Sequence, residues 1–107
     1  MANSYKNAKA DLTTTNATTL YTCPAATTAI VKSIIVSEDS GNADTITLTI
    51  TDSSSVVFSL YKVKAVSANT TIELLTAPLV VEENEILKAT AATANRLHVV
   101  ASLLEVS

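Results

Sequence analysis

The side chains able to do chemistry in this sequence are few and far apart. His98 is the only histidine and Cys23 the only cysteine. Zinc and iron sites usually need more than one imidazole or thiolate, so this pair predicts no transition-metal centre and no cofactor held by one. His98 stands among Leu97, Val99 and Val100, where a structural or interface role fits it better than catalysis. Cys23 has no His, Lys or Arg nearby in sequence to favour its thiolate, and it reads as a small apolar residue ending a strand before Pro24. A lone cysteine also excludes an intramolecular disulfide scaffold. Eleven serines could each be a nucleophile, but no nucleophile elbow or Gly-rich oxyanion loop accompanies any of them. The single glycine, Gly41, leaves no phosphate-cradling loop.

Two acidic clusters offer hard oxygen ligands of the kind calcium takes: Glu38, Asp39 and Asp44, and Glu82, Glu83 and Glu85. Neither has EF-hand spacing. Solvated turn charges, which also discourage strands from pairing edge to edge, account for them more simply. A glycosidase pair is disfavoured as well, because sugar clefts use aromatic platforms and the chain has no Trp. The expectation is a protein that is not an enzyme.

Composition narrows the alternatives. A chain of 107 residues fits one domain and gains from association, because small domains bury a modest share of their surface. Charged residues make up 16%, against roughly 25% in ordinary soluble domains, and Thr and Ser fill the deficit. Such a surface packs readily against another protein. The net charge of −3 and the scattered lysines disfavour nucleic acid as a partner. No run of about 18 apolar residues predicts a membrane span, and the first residues lack the apolar core of a signal peptide. The Asn-X-Thr sequons at Asn16 and Asn69 carry no meaning without secretion.

The elements that would position these residues read as strands. Residues 1–15 are polar and aperiodic and are expected to form an N-terminal arm outside the folded unit, with Tyr5 and Leu12 as apolar anchors and Lys6 and Lys9 able to meet acidic surfaces. Residues 16–107 are expected to form the domain. Residues 29–37 and 97–106 carry apolar side chains on both faces, as strands covered on each side do. Gly41 and Asn42 mark a turn. Residues 45–51 alternate without a break, placing Ile46, Leu48 and Ile50 inside and four threonines outside. Val56, Phe58 and Leu60 continue the two-residue period, and Ile72 and Leu74 are expected inside too. Residues 86–90 read as another short strand, and the Ala-rich stretch 88–96 is a poor helix because Thr90, Thr93 and Asn95 interrupt it. Seven or eight short strands predict an all-β fold, a single antiparallel β-sandwich of jelly-roll-like or Ig-like type.

Three segments resemble a family of small virion structural proteins of tailed bacteriophages, common in marine phages. They are residues 20–36 (Leu-Tyr-Thr-Cys-Pro-Ala-Ala-Thr-Thr-Ala-Ile-Val-Lys-Ser-Ile-Ile-Val), the alternating strand of residues 44–52, and residues 79–88 followed by 97–105. Similar proteins usually build the turn before residue 86 on a Gly-Asp pair, which Asn84-Glu85 replaces here. The resemblance implies a virion protein assembled in the host cytoplasm, foremost a capsid decoration or cement protein that bridges major capsid subunits. A neck, tail or fibre-associated component is the alternative, and an Ig-like surface binding module a further one. The resemblance and the two-sided strands together imply a homo-oligomer, a trimer or larger ring, with the arm carrying Tyr5, Lys6, Lys9 and Leu12 as its attachment element.

Overall fold

A computed structural model describes residues 2–107. Nine strands make two antiparallel sheets: β1 (Asn3–Asp11), β2 (Thr18–Thr22), β3 (Thr28–Glu38), β4 (Asp44–Thr51), β5 (Val57–Val66), β6 (Thr71–Glu73), β7 (Leu79–Val81), β8 (Ile86–Ala91) and β9 (Leu97–Val106). One sheet has the order β1-β9-β3-β6, with β7 also on β3, and the other β2-β8-β4-β5. Among the described residues there is no helix. The stretch 88–96 is strand and turn.

The sheets meet over an apolar layer. β4 contributes Ile46 and Leu48, β8 Leu87, Ala89 and Ala91, β9 Leu97, Val99, Ala101 and Leu103, and β3 Ala29, Val31, Ile34 and Val36. The inward positions of β3 change parity between Val31 and Ile34 because Lys32 is an extra residue in the β3–β9 ladder. A bulge of this kind turns the side chains that follow it to the opposite face. The two-sided look of residues 29–37 therefore has two sources, the parity change and the apolar outward residues Ile30 and Ile35.

The N-terminal segment departs from expectation. Residues 3–11 are not an arm held off the sandwich but its edge strand β1, paired with β9 through nine consecutive positions from Asn3–Val106 to Asp11–His98. Ladder hydrogen bonds, together with Ala8 and Ala10 packed on the core, order a sequence whose side chains show little apolar contrast. Leu12 is fully buried, its N–H donating to the Leu97 carbonyl and its own carbonyl accepting from the Asn95 N–H. The boundary drawn after residue 15 thus has no counterpart in the fold.

β5 is the second departure. Ile46, Leu48 and Leu74 are buried, and Ile50, Leu60 and Ile72 pack at the core margin, but Val56 and Phe58 are about half exposed. Thr49 pairs with Ser59 while Leu48 pairs with Tyr61, so Leu60 is an extra residue, and a second irregularity follows between Tyr61 and Lys64. Both irregularities follow Phe58, which keeps the expected parity opposite Ile50 and is exposed because β5 is the edge of its sheet, whereas beyond Leu60 the two-residue period breaks.

Candidate interaction surface

The candidate chemical residues go to structural tasks. Glu38 ends β3 pointing inward, and its carboxylate accepts hydrogen bonds from the N–H groups of Ser40, Gly41 and Asn69 and from the Ser40 hydroxyl. Burial opposes its ionisation, but the four donors outweigh that effect and hold its carboxyl down at about 2. Asp44 is also buried and accepts from the Thr45 and Thr93 N–H groups at 2.8 and 3.2 Å. Glu83 accepts from the Ala26 N–H, and Glu85 from the Glu82 N–H, fastening the β7–β8 turn. Among the described residues no three His, Cys, Asp or Glu side chains gather as a metal site.

His98 sits on the outer face of β9 with Nε2 3.3 Å from an Asp11 carboxylate oxygen and Nδ1 3.5 Å from one of Asp39. Both ring nitrogens face carboxylates, which leaves neither for a serine. Ser37, its partner across the ladder, shares a hydroxyl hydrogen bond with Thr71. Cys23 is buried and donates to the Thr27 carbonyl, and burial pushes its thiol above the ordinary value, the opposite of nucleophilic activation.

The four residues assigned to attachment separate. Leu12 belongs to the core. Lys6 lies 2.9 Å from Glu105, whose other oxygen accepts from the Tyr21 hydroxyl at 2.5 Å. That hydrogen bond and the Lys6 ammonium keep the Glu105 carboxyl below the usual range, while burial foremost and then the Glu105 bond raise the Tyr21 phenol. This cluster joins β1, β9 and β2, closing one side of the sandwich. Tyr5 and Lys9 remain on the outer surface, with Tyr5 77% exposed.

Those two belong to the outer face of the larger sheet. The ladder registers put Tyr5, Leu104, Ile30 and Val80 in one row across β1, β9, β3 and β7. A second row runs Lys9, Val100, Ile35, Glu73. Leu104, Ile30, Val100 and Ile35 are half-buried, Val80 is exposed, and the Lys32 ammonium sits 5.5 Å from the centre of the Tyr5 ring. The two-sided patterns of residues 29–37 and 97–106 anticipate the middle of this face. Tyr5 and Val80, at its ends, carry no such signal, because only the register brings them into line.

No protein-family model matches the sequence, and no curated protein matches it.

Proposed function

We propose that this chain is a virion structural protein of a tailed phage, a decoration protein that docks on the head and bridges neighbouring capsid subunits as a homo-oligomer. The observation that carries the reading is the outer face of the larger sheet, where the row Tyr5, Leu104, Ile30, Val80 and the flanking Val100 and Ile35 present apolar surface to solvent. Four strand positions at about 4.8 Å spacing and about 30 Å length give a face of roughly 600 Å² in projection. That approaches the roughly 800 Å² per partner of a standard protein interface. The apolar side chains share this face with Asn7, Ser102, Ser33, Lys9 and Glu73, a mixture of apolar and polar surface of the kind an assembled subunit covers.

The low charge fraction supports the same reading, since few charges must be desolvated when such surfaces meet. The resemblance of residues 20–36, 44–52, 79–88 and 97–105 to phage virion proteins supplies the assembly. The test is quantitative proteomics of purified particles. On the order of hundreds of copies per particle, in a multiple set by shell symmetry, is the expected result. A dozen or fewer would move the protein to the neck or tail, and absence from particles would overturn the reading.

A further inference from the structure

The sandwich is sealed along one side and open along the other. On the sealed side β1 lies against β2, and Glu105 binds Lys6 and Tyr21 across the junction. On the open side the smaller sheet ends at β5, and the larger ends at the three-residue strands β6 and β7. The Tyr61 hydroxyl reaches across to donate to the Leu74 carbonyl. Beside that bond runs a groove of about 230 Å³ lined by Leu60, Tyr61, Leu75, Ala77, Pro78 and Leu79, with no charged side chain in its wall.

β5 itself is unusual for an edge strand. Val57, Phe58 and Val63, with Val56 just before the strand, are all about half exposed or more, four of the six large apolar side chains that the described residues expose. Val63 also has φ of +54°, in the left-handed region, with its N–H donating to the Thr47 hydroxyl at 3.0 Å. The other non-glycine residues with positive φ are Ala26, Ser55, Asn69, Asn84 and Asn95, and none of them is β-branched. A β-branched residue is a genuine outlier in this region. The backbone here favours Gly or Asn and water favours a polar side chain, and valine meets neither demand. Val63 stands beside Thr45, Thr47 and Thr90 of the smaller sheet with its side chain mostly open to water.

We propose that the β5 edge and its groove take an extended segment of another protein, one that alternates apolar residues with carboxylates, laid beside β5 as a fifth strand of the smaller sheet. Strand addition of this kind draws affinity from backbone hydrogen bonds and specificity from pockets for alternate side chains. The carboxylates follow from charge. β5 holds Lys62 and Lys64, both exposed, and no acidic residue. Among the described residues Lys6 pairs with Glu105 and the His98 ring lies beside Asp11 and Asp39, while Lys62 and Lys64 have no carboxylate at ion-pair distance. A second copy is the poorer occupant, because pairing β5 with itself gathers four ammonium groups on one short ribbon with nothing to neutralise them. Lysines and bulges on an edge repel indiscriminate strands, and a guest bearing carboxylates turns that repulsion into selection.

This inference rests on the reading of the chain as a docking subunit and names the chemistry of one of its partners. The full chain, labelled with ¹⁵N, is titrated with a short fluorescein-tagged peptide of alternating Val and Glu, and with its Val and Lys counterpart. The Val/Glu peptide is expected to shift amides of residues 58–64, and the Lys62→Glu/Lys64→Glu double variant to bind it about tenfold more weakly while favouring the Val/Lys peptide. Val63→Asn is expected to raise the thermal midpoint and yet weaken binding, opposite signs that a purely structural role would not produce. Equal binding of both peptides, shifts confined to the outer face of β1 and β9, or protection of β5 amides in concentrated protein alone would each overturn the proposal. Peptide binding by a chain absent from particles would uphold this edge and refute the virion reading. Incorporation into particles without peptide binding at β5 would do the reverse.

Discussion

At the scale of single residues, the carboxylates that look like ligands in the sequence act as fasteners, and their ionisation couples the fold to acid. Glu38 has its carboxyl at about 2, below the 4.5 of an unhindered glutamate, and Glu73 and Glu105 are shifted the same way. For Glu73, burial works against ionisation, and the Ser33 hydroxyl with the Ile34 and Leu75 N–H groups overcomes it. A carboxyl depressed in the folded state stabilises it fully above the unfolded value and loses that contribution as pH falls through the folded one. The thermal midpoint is therefore expected to be level between pH 4.5 and neutrality and to fall between pH 4.5 and 2. Glu38→Gln should lower the midpoint at neutral pH and flatten the acid limb, as scanning calorimetry across that range would show. A variant with an unchanged acid limb would remove Glu38 from this role. The sequence shows three acids within seven positions but not their division of labour. Glu38 falls on an inward position of β3, Asp39 lies outside beside His98, and Asp44 turns inward again at the start of β4. Strand parity settles this, and the parity of β3 depends on the bulge at Lys32.

At the scale of elements, β4 was legible from its residues and β1 and β5 were not, for different reasons. In β4 threonine alternates with Ile46, Leu48 and Ile50, so the contrast between faces is complete. In β1 the inward positions are Ser4, Lys6, Ala8 and Ala10 against outward Tyr5, Asn7, Lys9 and Asp11, and no such contrast marks the strand. Its order comes from the β9 ladder, which a single-segment reading does not contain. The arm interpretation implies that deleting residues 2–11 leaves stability untouched. The structure implies the reverse, because the deletion strips β9 of its edge partner and removes Lys6 from Glu105. A loss of about 2 kcal/mol or more, seen as a fall of about 10 °C in the thermal midpoint, is the expected outcome. An unchanged midpoint would show that β1 is dispensable. Leu12→Ala should cost about 2–5 kcal/mol by urea denaturation, since it empties a fully buried site. The candidate site shares this uneven legibility: the apolar outer positions of β3 and β9 are plain in the residues, while the row that includes Tyr5 and Val80 exists only through pairing.

At the scale of the whole molecule, a sandwich measuring 44 by 26 by 22 Å carries its open apolar face on the larger sheet and its lysine-bearing edge on the smaller. If the face serves assembly, light scattering of concentrated protein should report a mass above 11.2 kDa, and Tyr5→Asp with Val80→Asp should return it to that value without altering the far-ultraviolet spectrum. Both positions are exposed, so neither substitution empties a core site. The wild-type chain running as a monomer at every concentration would argue against self-association through this face. The end of the β1–β9 ladder beside Asn3–Val106 has a mechanical consequence. The N–H of Ala2 donates to the Ser107 carbonyl and the N–H of Ser107 to that of Ala2, each at 2.9 Å, so residues 2 and 107 lie side by side. Tension applied between them pulls across the ladder and opens it like a zipper, one pair after another, instead of shearing nine pairs together. Held in an optical trap by these two points, the molecule should yield early and in sequence, from Asn3–Val106 towards Asp11–His98. A load-bearing lattice would have to grip this subunit by its broad face and its open edge, and leave the joined ends slack.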